Sequence, residues 1–180
     1  MVDRANCLIN MVLMNARGDL DNKQGDYALF SVRRCIEDAL QVYPFRAGER
    51  ELVRLSGPDF QAWGSDILFS YVIYNLLKNA LDARKTAEEG EVSIHLEPEE
   101  SHGRIRFRDN GSGIAPEILP HIFDQFFTDK KPGTGSGMGL SFCKQVVTGF
   151  GGDIRCRSRQ GAYTEFEIIL PRSANGDDAR

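Results

Sequence analysis

The sequence predicts an α/β fold, a two-layer sandwich in which helices cover one face of a mixed β-sheet. Three observations predict it. Apolar residues recur at helical spacing over segments near 31–43, 65–87 and 140–150. Five short stretches, ELVRLSG, EVSIHLE, RIRFRD, DIRCRSR and YTEFEIIL, read as strands, most of them with one apolar face. The helical segments and strands interleave along 180 residues of 41% hydrophobic content, without an internal repeat, which suits one domain with a sizeable core.

Taken in order, residues 4–16 read as a helix that is apolar on more than one face and so wants a partner surface. GDLDNKQGD is a polar, glycine-punctuated break after it. Ser31 suits a helix N-cap, and Val32, Ile36, Leu40 and Tyr43 then share one face of a helix that ends before Pro44. ELVRLSG is a short strand. From Ser65 to about Ala87 runs a long helix with Leu68, Val72, Leu76 and Leu77 toward the core. Two strands follow, with Val92, Ile94 and Leu96 on the inner side of one and Ile105 and Phe107 on that of the other. Beyond a glycine-rich stretch, Leu140, Cys143, Val146, Val147 and Phe150 mark an amphipathic helix. The last two strands turn Ile154 and Cys156, then Phe166, Ile168 and Leu170, inward. SANGDDAR at the end is a small, polar tail.

Composition excludes several classes. A net charge of −4 without a dense basic stripe gives no electrostatic case for nucleic acid or for direct contact with an anionic membrane. Four cysteines show neither CxxC pairing nor a Cys/His cluster, which points to buried thiols in a reducing cytosol. No apolar run approaches the roughly 20 residues that span a bilayer, so the segment is expected to be soluble.

Four motifs carry chemistry. NLLKNALDA puts Asn75 and Asn79 one helical turn apart on one face, where amide oxygens can ligate Mg²⁺ or the two side chains can form a buried hydrogen-bonded pair. RIRFRD ends in DNGSGI, so Asp109 stands at a strand end before Gly111 and Gly113. That carboxylate can accept from an exocyclic amine, and the same residues also make a plain Asp-Asn-Gly turn. IFDQFFTDKKPG sets Phe123, Phe126 and Phe127 beside Lys130 and Lys131, as in a flap with phosphate-seeking lysines or in ordinary core packing. GTGSGMGL spends four glycines in eight residues and opens directly into a helix, whose free N–H groups suit a phosphate.

In this order and spacing, NLLKNA, DNGSGI, IFDQFF and GTGSGMGL resemble the N box, first glycine box, F box and second glycine box of the catalytic domain of sensor histidine kinases. The resemblance covers residues from about 30 to 170. It implies the Bergerat ATP-binding fold, with ATP and Mg²⁺ as cofactors. It further implies that Asn79 ligates Mg²⁺, that Asn75 supports metal and phosphates, and that Asp109 reads adenine beside the Gly111–Gly113 turn. Gly135, Gly137 and Gly139, with Thr134 and Ser136, would receive the phosphates. Lys130 resembles a lysine near the terminal phosphate, and Thr164 matches a threonine close to adenine, although GAYTEF departs from the usual glycine-threonine pairing. Lys78, Ile114, Phe123, Phe127, Met138 and Leu140 complete the expected nucleotide contacts. Asp82 stands where some members carry a phosphate-binding lysine, which shifts that burden toward Lys78, Lys130 or Lys131.

None of the three histidines, His95, His102 and His121, resembles the family's phosphoacceptor. Residues 1–25 are therefore expected to be the end of the dimerisation region and its linker, 26–172 the catalytic domain and 173–180 a tail. The implied activity is transfer of the γ-phosphoryl group of Mg-ATP to a histidine on a helical bundle of the same kinase, in the cytoplasm, with a response regulator or receiver domain downstream. A same-fold serine kinase or ATPase, or a non-catalytic nucleotide-binding module, is the alternative.

Overall fold

The computed structural model describes residues 27–84, 90–127 and 137–172. The expected helix over 4–16 and the tail lie outside them. Chain order within the described residues is β1 (Ala28–Ser31), α1 (Val32–Val42), β2 (Val53–Ser56), β3 (Gln61–Gly64), α2 (Asp66–Arg84), β4 (Val92–Pro98), β5 (His102–Asp109), α3 (Gly139–Gly149), β6 (Asp153–Arg159) and β7 (Tyr163–Pro171).

Local chemistry sets the helix ends. Ser31 caps α1 as expected: its Oγ accepts from Arg34 N at 3.0 Å and donates to Asp59 Oδ2 at 2.6 Å. Val32, Cys35, Ile36, Ala39 and Leu40 form the buried stripe of α1, and the helix stops at Tyr43, before a proline that disfavours helical backbone in the residue preceding it. The α2 helix starts at Asp66 and buries Leu68, Phe69, Val72, Ile73, Leu76, Leu77, Ala80 and Leu81. No helix among the described residues is long and apolar enough to cross a membrane.

Five strands pair in the order β2-β4-β5-β7-β6, with β2 and β4 parallel and the other neighbours antiparallel, which makes the sheet mixed as expected. Strand alternation sends Val92, Ile94, Leu96, Ile105, Phe107, Ile154, Phe166, Ile168 and Leu170 into the core under α1, α2 and α3. The opposite face carries an ion-pair ladder, with Arg104 to Glu99 and Arg106 to Glu97 at 3.0 Å each and Arg108 to Glu165 at 3.3 Å. The antiparallel strands β4, β5, β7 and β6, with one dry and one wet face, explain the clean alternation in the sequence. The outer strand β6 exposes Arg155, Arg157 and Arg159.

A second, two-stranded sheet pairs β1 with β3, Leu29 facing Trp63 in register. Periodicity did not reveal it, because four-residue strands are too short to establish a period. Its inner side packs through Phe30 on Phe69 and Phe150, with ring centroids 5.5 and 6.3 Å apart.

Candidate nucleotide-binding site

Asp109 ends β5, in register with Thr164 on β7, and both side chains are buried. Burial pushes the Asp109 carboxyl up to about 6; the backbone N–H groups of Gly111 and Thr164 and the charge of Arg108 pull the other way. The Gly111 bond is 2.9 Å, to Oδ1. A buried carboxyl held by two amides, with acceptor capacity to spare, is equipped to receive a donor such as an amino group.

The turn after Asp109 is fixed on three sides. Asn110 Oδ1 accepts from Glu91 N at 2.7 Å, which ties the turn to the entry of β4. A Cβ on Gly111 would lie 2.9 Å from Asp109 Oδ1 and 3.0 Å from the Ala83 Cβ of α2. Gly113 adopts φ +65°, and a Cβ there would overlap the Arg159 carbonyl. The β6–β7 hairpin therefore sets the requirement for glycine at 113.

Two further bonds hold the same turn to that hairpin: Gly161 N donates to Ser112 O at 2.6 Å and Ile114 N to Ser158 Oγ at 2.8 Å. The Ser158 hydroxyl donates to Tyr163 O at 2.7 Å and stands 3.4 Å from Thr164 Oγ1. Sequence reasoning missed Ser158. The available signal was parity: Ser158 follows Ile154 and Cys156 at the inward positions of DIRCRSR, where a hydroxyl calls for partners.

On α2, Asn75, Asn79 and Ala83 stand four apart and form one stripe about 12 Å long, given a rise of about 1.5 Å per residue. Its far end touches the Gly111 turn. At its near end, buried Asn75 donates through Nδ2 to Tyr71 O at 2.8 Å, and its Oδ1 lies 2.8 Å from where a Cβ of Gly139 would be. Asn79 and Lys78 are half-buried along the same helix. The stripe thus links the first glycine turn to the start of α3.

Gly137, at φ +67°, lies against the backbone of Phe126, which has φ +64° and is 72% exposed. Met138 then leads into α3, and its carbonyl accepts from Ser141 Oγ and from Phe142 N at 3.0 Å each. Phe123 stands edge-on to Phe166 at 6.3 Å, Phe127 lies 5.9 Å from the His121 ring, and Ile114 and Leu140 pack half-buried on the core. Lys130, Thr134, Gly135 and Ser136 lie outside the described residues. The histidines hold local partners, His95 with Ser56 at 2.8 Å, His102 with Glu99 at 3.0 Å and His121 with Asp124 at 2.9 Å, and none lies on an α-helix.

The family described as histidine kinase-, DNA gyrase B-, and HSP90-like ATPase matches residues 64–174, more than half of the chain. The chain belongs to this family. The histidine kinase relatives agree in sequence and in fold. The CAI-1 autoinducer sensor kinase/phosphatase CqsS of Vibrio cholerae is 45% identical over 144 residues, covering 79% of this chain and 21% of the relative. The autoinducer 1 sensor kinase/phosphatase LuxN of Vibrio campbellii is 33% identical over 181 residues, covering 99% of this chain and 21% of the relative. The nucleotide-free catalytic domain of histidine kinase ThkA superposes with a TM-score of 0.67 at 26% identity, covering 81% of this chain and 95% of that one. The chain spans about a fifth of the length of these curated relatives (21%). It is the catalytic ATP-binding domain of the histidine kinase kind, with the mixed sheet and overlying helices of that fold.

The described residues fit a nucleotide in this histidine kinase domain. Side chains at 111 and 139 would intrude on Asp109 and on Asn75, and the site offers a buried acceptor at one end and a glycine-led helix start at the other. Among the described residues no group of three His, Cys, Asp or Glu could hold a metal ion. A Mg²⁺ ion keeps several of its waters and takes phosphate oxygens, so it needs few protein ligands and no cage of side chains.

Proposed function

We propose that this domain binds Mg-ATP between the Asp109 turn and the start of α3, and that it delivers the γ-phosphoryl group to a histidine on a helical bundle of the same kinase. The buried Asp109–Thr164 pair, held against a glycine turn at one end of the asparagine stripe, carries this reading. Asp109 and Thr164 take the adenine edge; Ile114, Phe123, Phe127 and Leu140 supply apolar walls. Gly135, Gly137, Gly139 and Met138 take the phosphates by backbone N–H groups, with Thr134, Ser136, Lys78 and Lys130 beside them. Asn79 ligates Mg²⁺ with support from Asn75. Bound there, the ion would supply charge neutralisation on the phosphates. The bond between the γ-phosphorus and the β,γ-bridging oxygen breaks in the transfer. The acceptor imidazole nitrogen forms the new P–N bond, and ADP leaves.

Such a reaction asks the domain for position and charge rather than for a base. The position one turn before Asn79 supports this. It holds Asn75, whose Nδ2 is committed to Tyr71 O, where a water-activating ATPase needs a carboxylate. Residues 26–172 would form the catalytic domain, 1–25 the end of the dimerisation region and its linker, and 173–180 a tail. The parent kinase would place this domain in the cytoplasm and pass phosphate to a response regulator or receiver domain.

Titration calorimetry with Mg-ATP and Mg-ADP, on the intact chain and on Asp109→Asn, tests the pocket. Saturable binding that the substitution abolishes is expected, followed by phosphotransfer to a supplied histidine-bearing bundle. Steady phosphate release from Mg-ATP without an acceptor overturns the kinase assignment in favour of an ATPase. Tight binding with no transfer to the bundle favours a nucleotide-sensing module.

A further inference from the structure

We infer that Ser158 is a specificity-determining residue: it fixes Thr164 as a hydrogen-bond acceptor beside Asp109, so that the site takes a base bearing an amino group and rejects one bearing a carbonyl there. The inference rests on the nucleotide reading above and goes beyond it to a residue outside the four motifs.

A serine hydroxyl has one proton to give and two lone pairs to receive. In Ser158 all three are assigned. The proton goes to Tyr163 O at 2.7 Å, the shortest contact and one that only a donor can make. One lone pair receives Ile114 N–H at 2.8 Å. Thr164 Oγ1, at 3.4 Å, can then meet Ser158 only as the donor, through the remaining lone pair. With its own proton turned toward Ser158, Thr164 has only lone pairs left to offer elsewhere. Asp109, in register with it across β5 and β7, also offers only acceptors when ionised.

Two acceptors at one end of the site select for a donor. The amino group of adenine is a donor; the carbonyl oxygen at the same position of hypoxanthine or guanine would face lone pairs on both sides. Sites that leave buried polar groups unpaired against a wrong ligand discriminate far more strongly than sites that merely fit its shape. Removing the Ser158 hydroxyl frees the Thr164 proton to rotate and donate, which removes one of the two acceptors opposing a carbonyl base and leaves Asp109 as the other.

Equilibrium binding of ADP and IDP tests this, since the two ligands differ at that position of the base and are alike in sugar and phosphates. The wild-type chain is expected to prefer ADP by about tenfold or more. Ser158→Ala is expected to bring the ADP/IDP ratio toward unity. Ser158→Cys, which keeps the branching and adds little bulk but replaces a strong acceptor with a weak one, is expected to do the same, and it serves as the test if the alanine variant does not fold. Ser158→Thr, which restores a hydroxyl, is expected to recover the preference. A purely structural role would weaken both ligands equally and leave the ratio alone. ADP binding by the wild type with an unchanged ratio in Ser158→Ala or Ser158→Cys overturns the role of Ser158 and leaves the ATP reading intact. Absence of ADP binding by the wild type overturns the ATP reading, and this one with it.

Discussion

Asn75 Oδ1 occupies the space that a side chain on Gly139 would need, 2.8 Å from the would-be Cβ. The amide cannot retreat without cost, because its Nδ2 is bonded to Tyr71 O at 2.8 Å. One contact therefore sets the distance between the asparagine stripe of α2 and the first residue of α3.

Gly139→Ala should separate those helices or break the Asn75 bond. A lost hydrogen bond is worth about 1 kcal/mol, so the expected loss in Mg-ADP affinity is roughly fivefold. Asn75→Ala in the same chain should remove the clash, so the two substitutions should be strongly non-additive in a double-mutant cycle read by calorimetry.

Asp109 should make stability and binding respond to pH in opposite directions. Its folded pKa of about 6 is above the ordinary carboxylate value, so between pH about 4 and 6 the folded state holds more of the proton than the unfolded state. Stability from this group is present below that window and is lost as pH rises through it. Above the window the loss is about 2–3 kcal/mol. Thermal melts should show ligand-free Asp109→Asn more stable than wild type at pH 7.5, with the difference closing toward pH 4. Mg-ADP binding, which uses the ionised acceptor, should weaken as pH falls below about 6.

Neighbours on β5 should differ sharply in cost. Ile105 is fully buried beneath the helices, and Ile105→Ala should destabilise by about 2–5 kcal/mol in urea unfolding. Arg106, one residue on and facing solvent, pairs with Glu97 at 3.0 Å, and Arg106→Ala should cost no more than about 1 kcal/mol.

The thiols at 35, 143 and 156 should be chemically silent in the folded state. Burial pushes Cys35 up to about 11 and Cys156 up to about 12, and Cys143 is raised as well, so the reactive thiolate is scarce. Peptide mapping after iodoacetamide at pH 8 should find these three unmodified until denaturant is added.

Much of this was legible in the sequence, and the exceptions share a cause. Val92, Ile94 and Leu96, or Val32, Ile36 and Leu40, repeat often enough to declare a face, so the sheet and the helices follow from period. The spacing of glycines at 111, 113, 137 and 139 marks places where backbone approaches something, and the structure adds that the Arg159 carbonyl, the Phe126 backbone and the Asn75 amide are what they approach. The β1–β3 pair escaped because Leu29 and Trp63 are 34 residues apart in strands of four. Ser158 escaped because its partners are split between the start of β7 and Ile114 beyond the Gly111 turn, and no local pattern announces a contact that exists only after the hairpin has closed on the turn.

The arginines of β6 bear on how copies of this chain behave at high concentration. An outermost strand offers an unpaired row of backbone donors and acceptors, a template on which a second molecule can add its own strand. Arg155 is paired with Asp153 at 2.8 Å, but Arg157 and Arg159 lie exposed along the same strand, so two such edges meet with an excess of positive charge and repel. That protection is electrostatic, and at about 1 M salt, where screening acts within about 3 Å, it should fade and leave the edge open to self-association.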